Sequence, residues 1–171
     1  MSPDWRLLAG LAPNDLQVAL LAEVDAVMAG QPGPEEDRLL RTLPEPLRAM
    51  WLVNWLDFEV SQGSLLAYFY NSHGRHAPLA VGVLRRMGAD RMADVVAEAA
   101  TSYERASAEW AARRAEVDAA GEFAVVRPYA GLPDASGLAR LTDQYWQAAD
   151  DDDWGSRLDA YLSEQVRLVA E

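Results

Sequence analysis

The spacing of apolar positions is helical along almost the whole chain. After Pro13-Asn14-Asp15, where Asn14 or Asp15 can cap a helix start, Leu16, Leu20, Val24 and Val27 or Met28 recur at every third or fourth position. Gly30-Gln31-Pro32-Gly33-Pro34 ends that helix, and Glu35-Glu36-Asp37 put acids in the first turn of a short second helix that stops near Pro44. Leu47, Met50, Trp51, Trp55 and Phe58 predict a third helix over 45–60 with these side chains on its core face. Gln62-Gly63-Ser64 interrupts it. An aromatic-rich turn of helix resumes over 65–70 and closes at Asn71-Ser72-His73-Gly74. A helix over 78–87 stops at Gly88, and one long helix then runs over 90–119. The stretch 121–137, with Pro128, Gly131 and Pro133, reads as a connecting loop holding the one extended candidate, 123–126. Helices over 138–149 and 154–169 complete the chain. The pattern predicts an all-α fold: one domain over 1–171, an irregular or orthogonal bundle of about seven helices.

The long helix also carries a charge pattern. Met92, Val95, Val96, Ala99, Tyr103, Ala106 and Trp110 fall on one face. Asp90, Asp94 and Glu98 fall opposite, an exposed row at i, i+4 steps of about 6 Å. Only Arg91 is near enough in sequence to offset Asp94. Like charges at this spacing destabilise a helix by a few tenths of a kcal/mol, so the row hints at use.

Charge changes the picture further. There are 27 acids and 15 bases, a net charge of −12. Such a surface repels nucleic acid and anionic membranes and attracts basic partners. All the bases are arginine, which excludes a P-loop lysine, a Schiff-base lysine and a Ser-x-x-Lys pair. Cysteine is absent, so disulfides, thiolate nucleophiles and cysteine metal sites are excluded. The apolar stretch 7–11 is too short for a secretion signal, and no apolar run approaches the roughly 20 residues of a membrane span, so a cytoplasmic protein is expected. Near the end, Asp150, Asp151, Asp152 and Asp153 stand just before Trp154. A helix dipole accounts for one or two of these acids, not four. The run is therefore expected to be solvated, and its replacement by asparagine to weaken partner binding while leaving folding nearly unchanged.

Other chemistry is sparse. His73 and His76 are three apart, but no carboxylate lies within four residues of them. A zinc site needs three or four ligands, so a solvated turn and no metal are expected. Trp51, Trp55, Phe58, Tyr68, Phe69 and Tyr70 are expected to fill the core, with a stacking pocket as the alternative. Asp57 and Glu59, two apart on a helix, point to different faces and do not converge as a catalytic pair. No nucleophile elbow, His-Glu-x-x-His or glycine-rich phosphate loop occurs, so no catalytic residue is assigned.

The central motifs resemble a known family. They are Glu59-Val60-Ser61-Gln62-Gly63-Ser64, Tyr68-Phe69-Tyr70-Asn71-Ser72-His73-Gly74, and Ala80, Leu84 and Met87-Gly88-Ala89, followed more loosely by Leu141-x-Asp143-x-Tyr145-Trp146 and Leu158-x-x-Tyr161-Leu162. Over about 45–165 the chain is similar to the DNA-mimic-protein type of helical domain. The matching motif residues are Glu59, Gly63, Tyr68, Phe69, Asn71, Gly74 and Gly88. Where the family shows Asn-Gly-Gly, this chain has Gln62-Gly63-Ser64. The resemblance implies an all-helical fold, a homodimer, no cofactor and, for at least one branch, a protein that occupies the DNA site of a basic protein. The acids that would do so lie outside the motif. Asp90, Asp94, Glu98 and Asp150, Asp151, Asp152 and Asp153 are nominated on charge pattern alone. The expected partner is a basic protein, with no direct nucleic acid and no membrane. The alternatives are an immunity-type inhibitor of a basic toxin, an enzyme with a pocket around Gly63, Tyr68, Asn71 and His73, or a charge that serves only solubility.

Overall fold

In the computed structural model, residues 3–30, 33–120 and 135–171 are described, and the regular elements among them are all α-helical. They are α1 (Trp5–Leu8), α2 (Pro13–Met28), α3 (Gly33–Thr42), α4 (Glu45–Ser72), α5 (Ala77–Arg86), α6 (Asp90–Arg105), α7 (Ser107–Ala120), α8 (Ala135–Asp151) and α9 (Trp154–Ala170). That is nine helices among the described residues, against the seven or so read from the pattern. The extended candidate at 123–126 lies outside the described residues. None of the described helices is long and apolar enough to cross a membrane.

Three boundaries differ from the sequence reading for local reasons. Asp4 caps the short α1, accepting from the Leu7 N–H at 3.2 Å. In α2 the N-cap is Ala12 without a side-chain bond, because Pro13 is itself the first helical residue and leaves Asn14 and Asp15 inside the turn. The long helix breaks at Ala106 (φ −106°, ψ 19°) into α6 and α7. The anticipated face survives the break: Met92, Val96, Ala99, Tyr103, Ala106 and Trp110 are buried, and Trp110 packs edge-on to Tyr103 at 4.9 Å between ring centroids.

α4 holds the molecule together by serving two cores. Its first half puts Leu47, Met50, Leu52 and Val53 into a cluster with α1, α2, the end of α3, and α9. Its second half puts Leu56, Val60, Leu65, Tyr68 and Phe69 into a cluster with α5, α6 and α8. The change of direction comes at Ser64, whose backbone is non-helical (φ 87°, ψ 174°). This is the second position at which the family shows glycine, and a glycine adopts such angles without cost from a Cβ. The serine compensates by capping. Its Oγ accepts from the Leu66 N–H at 3.2 Å, while Thr142 Oγ1 on α8 accepts from the Leu65 N–H at 3.1 Å.

Two motif glycines turn the chain toward the site. Gly74 (φ 68°) follows the left-handed His73 that ends α4, and a Cβ there would lie 2.8 Å from the Tyr103 ring. Gly88 (φ 76°) ends α5 in a Schellman motif: the Ala89 N–H bonds the Leu84 carbonyl at 2.9 Å and the Gly88 N–H bonds that of Arg85 at 3.0 Å. A Cβ on Gly88 would also meet the Arg157 guanidinium at 2.5 Å.

Replacing Ser64 with glycine relieves backbone strain worth about 1–3 kcal/mol and gives up a cap worth only a few tenths relative to glycine. Ser64→Gly is therefore expected to raise the urea midpoint of unfolding by an amount equivalent to about 1 kcal/mol, with an unchanged slope.

Candidate functional site

The start of α6 lacks a cap of its own, since Ala89 precedes it and makes no side-chain bond. Its first free amides are instead satisfied from sixty residues away. Asp152 Oδ2 accepts from the Arg91 N–H at 3.0 Å and the Met92 N–H at 3.1 Å. This is the work of an N-cap carboxylate, done by the turn between α8 and α9. Asp152 is accordingly only 7% exposed, which corrects the expectation that the whole acidic run is solvated. Its neighbours are exposed, and each is placed by the same turn. Asp151 pairs with the Arg91 guanidinium and accepts from Gln147 at 3.1 Å. Asp153 takes a left-handed conformation (φ 47°) and accepts from the Ser156 hydroxyl at 3.1 Å. Arg157 Nε donates to the Asp152 carbonyl, tying the turn to the corner at Gly88. Asp150 projects into solvent.

Asp152 thus ties the turn that carries one nominated acidic group to the start of the helix that carries the other. Asp90, Asp94 and Glu98 are exposed along α6 as their spacing indicated. They are not left unopposed, although only Arg91 is near Asp94 in sequence. Arg85 on α5 reaches Asp94 at 2.8 Å and Asp90 at 3.9 Å, and Arg140 on α8 reaches Glu98 at 3.1 Å. The split follows from helix geometry. Each i, i+4 step rotates the row by about 40°, so its start leans toward α5 and its end toward α8. These pairs are exposed, so each contributes only about 0.2–1 kcal/mol. They fix carboxylate positions more than they add stability.

The family-motif residues take structural places. Glu59 is buried and accepts from the Asn71 amide at 2.6 Å, bridging the two halves of α4 across the kink. Burial raises its carboxyl above the usual range, against the lowering effect of Asn71. Gly63 immediately precedes the kink, Tyr68 and Phe69 are enclosed in the core, and Asn71 and His73 are exposed. Asp57 lies beside the buried Tyr145, and Glu59 lies near the buried Tyr68. Burial also raises Asp57, beside the Tyr145 hydroxyl, and burial followed by the Glu59 charge raises the Tyr68 hydroxyl.

His76 is the clearest departure from the sequence reading. It is 2% exposed rather than solvated. Its Nε2 lies 3.0 Å from Glu36 Oε1 and 3.1 Å from Asp37 Oδ1, both on α3. Desolvation holds its pKa below the ordinary histidine value despite these carboxylates. The three candidate ligand atoms lie within 4.8 Å of one another, the composition of an incomplete nitrogen–oxygen metal site. The bonds already present suffice to dock α3 on the start of α5. His73 stands apart from this group, in its left-handed turn.

The aromatic residues divide. Tyr68 and Phe69 are core, as expected. Trp51 and Trp55 are only half-buried and Phe58 is 53% exposed, so the aromatic members of the third-helix stripe turn toward the surface, while Leu47 and Met50 are buried as expected. Leu52, Val53, Leu56 and Val60 join Leu47 and Met50 in filling the core from this segment. Sequence periodicity misled because ten of the fourteen positions 47–60 are apolar, so more than one stripe fits a helix.

Comparison with known proteins places these features in a family context. Residues 41–165 match the model of a family described as DMP19-like protein, close to the 45–165 span of the resemblance. No curated protein and no solved structure matches the chain.

Two stability measurements follow. Asp152→Ala leaves two helix amides without their acceptor and is expected to cost about 1–3 kcal/mol in urea unfolding. Asp152→Asn keeps an acceptor and should lose less than half as much, while Asp150→Asn should stay within about 0.5 kcal/mol of the parent. Glu59 supplies a pH test. Its folded-state pKa lies above the unfolded one, so the folded form holds its proton more tightly and stability falls as pH rises through the raised value. Glu59→Gln retains an acceptor for Asn71 without the charge. Unfolding at neutral pH and at about pH 4 should show its advantage over the parent at neutrality and a smaller one in acid, where the parent carboxyl (model-peptide pKa about 4.3) is largely protonated.

Proposed function

The chain belongs to the DMP19-like family, and from that premise we propose that it is an acidic protein-interaction module that occupies the DNA-binding surface of a basic protein. One observation carries the reading: Asp152 joins the start of α6 to the α8–α9 turn, so acids about sixty residues apart in sequence share one corner. Asp90, Asp94, Glu98, Asp150, Asp151 and Asp153 all lie exposed around it. Duplex DNA offers about one negative charge per 1.7 Å of axis, and a protein reads that ladder chiefly through lysine and arginine. Carboxylates about 6 Å apart along a rigid helix, with a second set fixed beside them, offer such a partner a similar array. Arg85, Arg91 and Arg140 oppose part of the array. Because those pairs are exposed and weak, a partner's arginines can exchange with them. The net charge of −12 adds long-range attraction, which speeds encounter with a basic surface. The chemistry requires no cofactor.

The test is capture from a lysate of the source organism at low salt, with elution by a salt gradient and, separately, by duplex DNA. A basic DNA-binding protein released by both treatments is the expected result. A variant with Asp90, Asp94, Asp150 and Asp153 changed to asparagine, and Asp152 kept, should fold normally and release that protein at lower salt. Its log–log dependence of affinity on salt should be shallower than the parent's. Release by salt but never by DNA would favour inhibition of a basic toxin instead. Identical retention by parent and variant would remove this corner from the binding surface.

A further inference from the structure

The outward aromatic stripe of α4 does not end in solvent alone. Trp51 and Trp55 stack on each other, with rings 5° from parallel and centroids 5.8 Å apart, and the stacked pair forms an indole wall. The wall borders an open cleft of about 500 Å³ that is also lined by the end of α2 and the first turn of α3. Asp25 and Glu36 supply two carboxylates to it, Asn54 an amide, and the buried Met28 an apolar patch. No basic side chain is among the described residues that line it. Half-exposed tryptophans on a helix that has its own buried face forgo the burial large aromatics usually obtain, and parallel indoles beside carboxylates match one ligand chemistry closely.

We infer that this cleft binds a guanidinium group, presented as an arginine side chain of a bound protein or peptide. The planar group packs against the free face of the stacked indole pair, where the negative ring quadrupole attracts it. Its edge N–H groups donate to Asp25, Glu36 and the Asn54 amide oxygen. An arginine fits better than a lysine because its head is flat, weakly hydrated and forked, whereas an ammonium is a compact and strongly hydrated point charge. Glu36 is held in place by the His76 Nε2, 3.0 Å from its Oε1. The edge of His76 also packs against Trp51 at 5.0 Å and an interplanar angle of 87°, which fixes the wall in place. The cleft is built from α2, α3 and α4, whereas the acidic corner is built from α5, α6, α8 and α9. The two inferences therefore stand or fall separately.

The experiment titrates the full ¹⁵N-labelled chain with N-acetyl-arginine methylamide and follows the indole N–H signals of its six tryptophans, assigned by single Trp→Phe changes. Saturable shifts at Trp51 and Trp55, with Trp5, Trp110, Trp146 and Trp154 unmoved, are expected. The neutral isostere, N-acetyl-citrulline methylamide, should bind at least tenfold more weakly. Asp25→Asn, a change at an exposed side chain that leaves the fold intact, should weaken arginine binding at least threefold. Trp55→Ala should abolish the shifts at Trp51, and Trp55→Phe should restore part of the affinity. Equal binding of citrulline, shifts spread over all six indoles, or an unchanged affinity in Asp25→Asn would each overturn the inference. Because the probe is a single amino-acid derivative, none of these results bears on whether the acidic corner displaces DNA.

Discussion

The carboxylate of Asp152 on the first amides of α6 is the contact on which the acidic surface depends. A helix begins with amides that have no partner within it, and α6 begins after an alanine that cannot supply one. Satisfying two of those amides from the α8–α9 turn fixes where α6 starts relative to α8 and α9. Arg157 adds a tie from α9 to the carbonyl of the same residue, and Gly88 leaves room for it by having no side chain. Everything exposed at this corner inherits that arrangement. One buried aspartate thus determines where its exposed neighbours point, and a run of four like residues divides into different tasks.

A second constraint lies inside α4. One helix that must feed two apolar clusters cannot stay straight, and the change of direction falls where the family carries glycines. This chain places Ser64 there, at backbone angles that suit glycine, and recovers part of the cost through bonds to its own hydroxyl and to Thr142. Glu59 and Asn71 then clasp the two halves. The motif that carries the family resemblance therefore builds the kink, its clasp and the turns that follow. The acids that carry charge lie outside it, on surfaces that the motif positions.

The helices were largely legible in the sequence because their evidence is local. Proline, glycine and the three-to-four spacing of apolar residues placed α2, α3, α5 and α9 within a residue or two, and the buried face of α6 was found by rotation alone. What was illegible needed partners distant in the chain. His76 reads as solvated until Glu36 and Asp37 arrive from α3, forty residues earlier. The acidic row reads as unopposed until Arg85 and Arg140 reach it from other helices. Asp152 is indistinguishable from Asp150 by type and differs only in which way the turn faces it. The aromatic stripe of α4 was misread for another reason: in a segment apolar at ten of the fourteen positions 47–60, composition does not say which face is covered.

The most direct test of the account is hydrogen exchange of the chain, free and bound to the basic protein that duplex DNA displaces. The account expects slowed exchange at the amides of 90–98 and 150–157, the start of α6 and the turn that caps it, with any further protection confined to the indole cleft of α4. Free-state exchange at both of those segments, with protection appearing elsewhere, would contradict the claim that the joined acidic corner is the binding surface.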